Sequence, residues 1–320
     1  MKEPNLLDIV QAAERIKPYM NPSPLYTYPT LNEYLGFTAY IKHENYNPTG
    51  AFKIRGGINL ISQFSPEEKK RGVITASTGN HGQSIALASR IFGVEAHICV
   101  PKGANPIKVA AIRMHGAVIH EYGKDFDEAV ENGQRLAKEH GYRFINSGNE
   151  PLLIAGVGTI GLEIMEQQPD IDVVISPVGS GTGAGGTATA IKTLKPEVKA
   201  ISVQAEKAPS IYMSYKSGKV ESTPTAETFA DGLATRNAFE LPLGILRSQV
   251  DDFILVSEEK MRHAIKLYLE HCHTVAEGAG AASLAAAVKL KDQLKGKKVA
   301  LVLSGGNITF DELMRSIESD

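Results

Sequence analysis

From about residue 73 onward, short β-branched runs alternate with segments of helical period, and this pattern narrows the fold more than any other feature. The runs 73–77, 96–100, 117–120, 143–146, 173–178, 200–205, 253–256 and 299–303 read as strands, and 82–92, 125–140, 152–167 and 258–271 as helices. Such alternation predicts an α/β fold of open, parallel-type sheets with helices on both faces. The runs are apolar almost throughout, as strands buried on both sides require. Strands on either side of residue 150 predict two sheets and hence two domains. The break falls in the turn Ser147–Pro151. Residues 1–70 and 151–320 are expected to form a large domain, and 71–150 a smaller, mobile one.

A length of 320 residues is ample for two cores. The formal charge of -2 provides no field for nucleic acid or an anionic membrane. No uninterrupted apolar run reaches the roughly 18 residues of a membrane span, and the first 20 residues lack a signal-type apolar stretch. Two cysteines, Cys99 and Cys272, show no metal-type spacing and make no disulfide framework. The expectation is a cytoplasmic protein with a small-molecule partner.

Ligands of open α/β sheets sit beyond the carboxyl ends of the strands, so the segments after the strands matter most. Ser77, Thr78, Gly79, Asn80 and His81 lead from one strand directly into a helix, a place where free backbone N–H groups receive an anion such as a carboxylate. An ordinary hydroxyl-capped turn explains the same residues. Five glycines in 179–186 follow another strand, with Ser180 and Thr182 between them, and suit close approach to a phosphate. The spacing of Gly181, Gly183 and Gly186, with Glu206 twenty residues after Gly186, also satisfies a dinucleotide fingerprint. A nicotinamide-dependent oxidoreductase therefore stays open from the glycines alone. Lys53 stands in a Pro/Gly-punctuated segment beside Phe52, and a desolvated amine there would be nucleophilic toward aldehydes.

The segment PTGAFKIRG at 48–56, STGNHGQ at 77–83, the glycine loop, EGAGAA at 277–282 and SGGN at 304–307 together resemble the fold-type II pyridoxal-phosphate enzymes. Within these, the chain is similar to the serine/threonine dehydratases (ammonia-lyases) and serine racemases, whose fold is tryptophan synthase β-like. The resemblance implies that Lys53 holds pyridoxal 5'-phosphate as an imine and acts as base at the substrate Cα. It implies that Gly179, Ser180, Gly181, Thr182 and Gly183 hold the phosphate, that Asn80 bonds the 3-oxygen, and that Phe52 packs on the ring. Ser304 would face the pyridine nitrogen and Glu277 would stand near the cofactor. Ser77, Thr78, Gly79 and His81 would line the substrate-carboxylate pocket. A neutral hydroxyl at Ser304 makes the ring a weaker electron sink than a carboxylate would. β-Elimination of water from L-threonine or L-serine, giving a 2-oxo acid and ammonia, then suits the site better than transamination.

The chain departs from the family pattern at several points. The phosphate loop has hydroxyls where many dehydratases have glycines. Thr78 holds the position of a racemase's second acid/base, with a stiffer β-branched side chain; racemisation of serine or aspartate is thus the alternative activity. Gln204 and Ser210, with Ala208 between, match the positions of the racemases' cation-binding carboxylates, so no metal is expected. The regulatory domain of feedback-controlled threonine dehydratases is not expected. Residues 229–239 are expected to choose among threonine, serine and 3-hydroxyaspartate. A homodimer is implied by the family.

Overall fold

The computed structural model describes residues 1–318. Among these, ten strands form two sheets. The strands are β1 (Leu25–Thr27), β2 (Thr38–His43), β3 (Val73–Ala76), β4 (Ala96–Val100), β5 (Val118–Glu121), β6 (Arg143–Phe144), β7 (Val173–Pro177), β8 (Lys199–Ala205), β9 (Asp252–Val256) and β10 (Lys298–Leu303). The six-stranded sheet has the order β1-β2-β10-β7-β8-β9 and the four-stranded sheet β5-β4-β3-β6. Every pairing is parallel except that of β1 with β2. The central strands are buried along nearly their whole length, since helices cover both faces.

The first two strands were not anticipated. β2 carries Lys42 and His43, residues that break an apolar reading, yet both are fully buried. Lys42 Nζ donates to Glu163 Oε2 at 2.5 Å and to Ser23 O at 2.7 Å, so the charge is paired and the ladder survives.

Glu163 belongs to the apolar helix Pro151–Gln167, on which the helices Lys53–Ile61 and Thr182–Leu194 both pack. A Cβ at Gly156 would lie 2.6 Å from Arg55 O; its absence lets the Lys53–Ile61 backbone rest directly on this helix. Arg55 anchors the contact from within. It forks onto Glu44 (2.7 and 2.8 Å) and onto Glu163 (2.6 and 2.8 Å), and both Arg55 and Glu44 are fully buried. Lys53 begins the same helix two residues earlier, so its position is inherited from this charge cluster.

Candidate active site

The turn after β10 brings the separate motifs together. Phe52 N donates to Ser304 O at 3.0 Å, Gly306 N donates to Gly50 O at 2.9 Å, and Glu277 N donates to Gly305 O at 3.0 Å. Three segments far apart in sequence thus share one short stretch of backbone. Asn307, quoted above only as part of a motif, adds the fourth. Its Nδ2 donates to Thr49 O and to Asn80 Oδ1, both at 2.8 Å.

Lys53 Nζ donates to Thr182 Oγ1 at 2.9 Å and to Ser180 Oγ at 3.4 Å, and lies 5.1 Å from the Phe52 ring centre. No carboxylate pairs with it among these contacts, and burial lowers its pKa to about 8. The amine therefore meets the hydroxyls of the glycine loop.

That loop has the chemistry of an anion cradle. Gly181, with φ of 90°, caps the helix Thr182–Leu194 without offering a side-chain acceptor. The N–H groups of Thr182, Gly183 and Ala184 consequently find no protein acceptor among the described residues. A Cβ at Gly183 would come within 2.8 Å of the Phe52 ring, so only glycine lets this ring lie against the loop. Free N–H groups, two hydroxyls, an amine of lowered basicity and a flat aromatic wall fit pyridoxal phosphate. The Ser304 hydroxyl also makes no hydrogen bond to the described residues, although the residue is only 4% exposed. It is a donor available to a ring nitrogen.

Asn80 opens the helix Asn80–Phe92 after β3. Its Nδ2 donates to Glu277 Oε1 at 2.7 Å, which uses one amide hydrogen and leaves the second. Burial raises the Glu277 carboxyl to about 7, against the pull of Asn80 and of Lys108. In the preceding turn Ser77 Oγ accepts from Gly79 N (3.2 Å) and Gly82 N (2.9 Å), the hydroxyl-capped turn weighed above. The N–H groups of Thr78, Asn80 and His81 still have no acceptor among the described residues, so the turn is both capped and open to an anion. The His81 ring points elsewhere. Thr75 Oγ1 donates to Ile145 O (2.8 Å) and so accepts from His81 Nε2 (3.1 Å). Burial and the nearby Lys53 push the His81 pKa down to about 3, which leaves a neutral ring. What His81 offers a carboxylate is its backbone N–H.

Other sequence candidates lie apart from this cluster. Gln204 Oε1 accepts from Tyr212 N at 3.0 Å, and Ser210 Oγ donates to Thr235 O at 2.5 Å. Glu206 is half exposed at the end of β8, 4.0 Å from Lys289. The segment 229–239 does border the loop: a Cβ on Gly179 would strike Gly232 O, and one on Gly278 would strike Phe229 and Ala230. Two residues of this segment that carry no motif, Asp231 and Arg236, form ion pairs with Lys108 and Asp127 on helices beside the four-stranded sheet.

Comparison with known proteins points to the same cofactor. The family model described as "Pyridoxal-phosphate dependent enzyme" matches residues 16–305. An L-threonine ammonia-lyase of Thermotoga maritima is 44% identical over 98% of this chain and 78% of its own length. An L-threo-3-hydroxyaspartate ammonia-lyase of Saccharomyces cerevisiae is 37% identical over 95% of this chain and 94% of its own. The structure of maize serine racemase superposes with a TM-score of 0.94 at 31% identity, covering 99% of this chain and 97% of that one.

Proposed function

The chain belongs to the pyridoxal-phosphate dependent enzyme family, and from that premise we propose that it eliminates water from a small hydroxy-amino acid such as L-threonine or L-serine, the resulting enamine taking water back as it hydrolyses to a 2-oxo acid and ammonia. The observation that carries this reading is the Lys53 amine, uncompensated by a carboxylate, set against a glycine loop with unused N–H groups. The bound cofactor supplies a carbonyl for Lys53 and an electron-withdrawing ring that takes up charge from the substrate Cα.

The protein's own groups do the rest. Gly179, Ser180, Gly181, Thr182 and Gly183 would hold the phosphate through backbone N–H groups and two hydroxyls. Phe52 would pack on one ring face, and the remaining amide hydrogen of Asn80 would reach the 3-oxygen. Ser304 would meet the ring nitrogen with a neutral hydroxyl, which limits how long charge is stored at Cα and favours prompt loss of a β-hydroxyl. Lys53, with a pKa near 8, has a neutral fraction at physiological pH and can take the Cα proton. Backbone N–H groups of Thr78, Asn80 and His81, at a helix N-terminus, would receive the substrate carboxylate, with open space beside Gly79 to admit it. Ser77 holds that turn in shape. Glu277 keeps Asn80 in place.

Residues 71–150, which contain the four-stranded sheet, would act as the smaller domain and close over substrate, excluding water from the reaction. A homodimer, on the strength of the family resemblance, and a cytoplasmic setting, on the sparse cysteine usage, complete the reading of an enzyme with an amino acid as its partner.

Racemisation is the second reading, because the Thr78 hydroxyl makes no hydrogen bond among the described residues and is available to carry a proton. Incubation with L-threonine and L-serine separates the two. Elimination gives stoichiometric 2-oxo acid and ammonia with unreacted substrate still L. Loss of chirality without ammonia would replace the lyase reading by the racemase one.

A further inference from the structure

Two ion pairs tie the four-stranded unit to one short segment of the six-stranded unit, and their polarity is reversed. Lys108, on the helix Pro106–Met114, pairs with Asp231. Asp127, on the helix Phe126–His140, pairs with Arg236. The helix of Lys108 follows the carboxyl end of β4, the side on which open α/β sheets take their ligands. Asp231 is followed by Gly232, whose carbonyl backs onto Gly179 of the phosphate loop. A Cβ at Gly232 would also lie 3.9 Å from Glu277 Oε1. Both charges of the first pair are felt by the Glu277 carboxyl. The pair therefore stands at the rim of the site, between the loop that would hold the cofactor and the unit that would close over substrate.

We propose that Asp231 sets which substrate side chain the site accepts, by neutralising Lys108 and so withholding the cation that a second substrate carboxylate would need. This rests on the lyase reading above. A hydroxy-amino acid with a neutral side chain asks nothing of the rim. One with a β-carboxylate must bring that charge into a closing cleft where Lys108 is already engaged, where Arg236 is held by Asp127, and where Asp231 itself repels it. A charge placed against a like charge and left unpaired discriminates more strongly than a missing methyl group. Asp231 is 62% exposed and Lys108 23%, so the carboxylate is the replaceable partner: a substrate carboxylate can take its place only if Asp231 is absent.

The test compares kcat/KM for L-threonine and for L-threo-3-hydroxyaspartate in the wild-type holoenzyme, in Asp231→Asn, in Lys108→Met, and in the double variant. The wild type should favour threonine. Asp231→Asn should raise the hydroxyaspartate-to-threonine ratio by roughly tenfold or more, the low end of the range for a close charge pair gained on binding. Lys108→Met should lower that ratio, and adding it to Asp231→Asn should abolish the gain. A merely structural role would reduce turnover of both substrates alike and leave the ratio unmoved, and an unmoved ratio overturns the proposal. So does a wild type that prefers hydroxyaspartate, though oxo-acid release would then leave the lyase reading standing. No oxo acid from either substrate defeats the lyase reading and this proposal with it.

Discussion

Replacing Arg55 by methionine should destabilise the protein by about 3–5 kcal/mol at pH 7, the range for breaking a buried ion pair by removing one partner. The structure explains why the loss belongs in that range. Arg55 makes four charge-assisted hydrogen bonds of 2.6–2.8 Å, two to Glu44 and two to Glu163. In the variant Glu163 keeps Lys42 at 2.5 Å, whereas Glu44 keeps only the neutral donors Ser23 Oγ (2.5 Å) and Asn47 Nδ2 (2.7 Å). The penalty therefore concentrates on Glu44, which is fully buried. In the wild type Arg55 holds the Glu44 pKa below its ordinary value in spite of burial. Glu44 thus contributes stability that is present above the unfolded pKa and lost as pH falls through the folded one. Without Arg55, burial, the largest influence on Glu44, is opposed only by Lys42 and the Ser23 hydroxyl, so the Glu44 pKa rises and the variant gains stability relative to the wild type as pH falls and Glu44 takes up a proton. Equilibrium urea unfolding at pH 7 and pH 5 should show the gap between the two proteins shrinking at the lower pH. Adding Glu44→Gln to the variant should recover much of the loss at pH 7. A gap below about 1 kcal/mol, or one that widens on acidification, would refute the reasoning, since it would mean that Glu44 is not left as an uncompensated buried charge.

Three further outcomes follow from the site. Because Lys53 has its pKa lowered to about 8, the rate at which apoprotein takes up pyridoxal phosphate should climb with pH and level off above about 8; stopped-flow absorbance checks this, and a rate still climbing tenfold per pH unit at pH 9 would show an ordinary surface amine. Glu277, raised from 4.5 to about 7, takes up a proton on folding, so the apoprotein should lose stability relative to Glu277→Gln as pH rises across that interval; parallel melting curves would contradict it. Ser304→Asp should shift the cofactor spectrum and divert part of the flux from elimination to side reactions, measured as oxo acid released per substrate consumed, with unchanged spectrum and yield counting against a Ser304 contact to the ring.

The sequence pattern foretells the buried parallel strands well, because β3, β4, β7 and β10 are apolar apart from Thr75, His97, Ser176 and the leading Lys298 and leave no competing period. It foretells β2 poorly for the opposite reason. Lys42 and His43 are polar in sequence and buried in the fold, and the partner that makes Lys42 tolerable, Glu163, lies 121 positions away. The same holds for Arg55, read as part of a motif but stabilised by Glu44 and Glu163. In the site, residues that act through their own backbone were legible as glycine-rich turns. Asn307 was visible within SGGN, but its bonds to Thr49 and Asn80 depend on a turn that only the assembled sheet creates. The pairs Lys108–Asp231 and Asp127–Arg236 carry no motif at all, since each joins partly exposed charges from segments far apart in the sequence.

The most direct test of the whole account is the absorbance spectrum of the purified protein after incubation with pyridoxal phosphate and removal of the excess, set beside that of Lys53→Ala. The account predicts a retained band near the visible edge in the wild type and none in the variant. A wild type that retains no band, or a variant that retains the same one, would contradict the assignment of Lys53 as the residue that holds the cofactor.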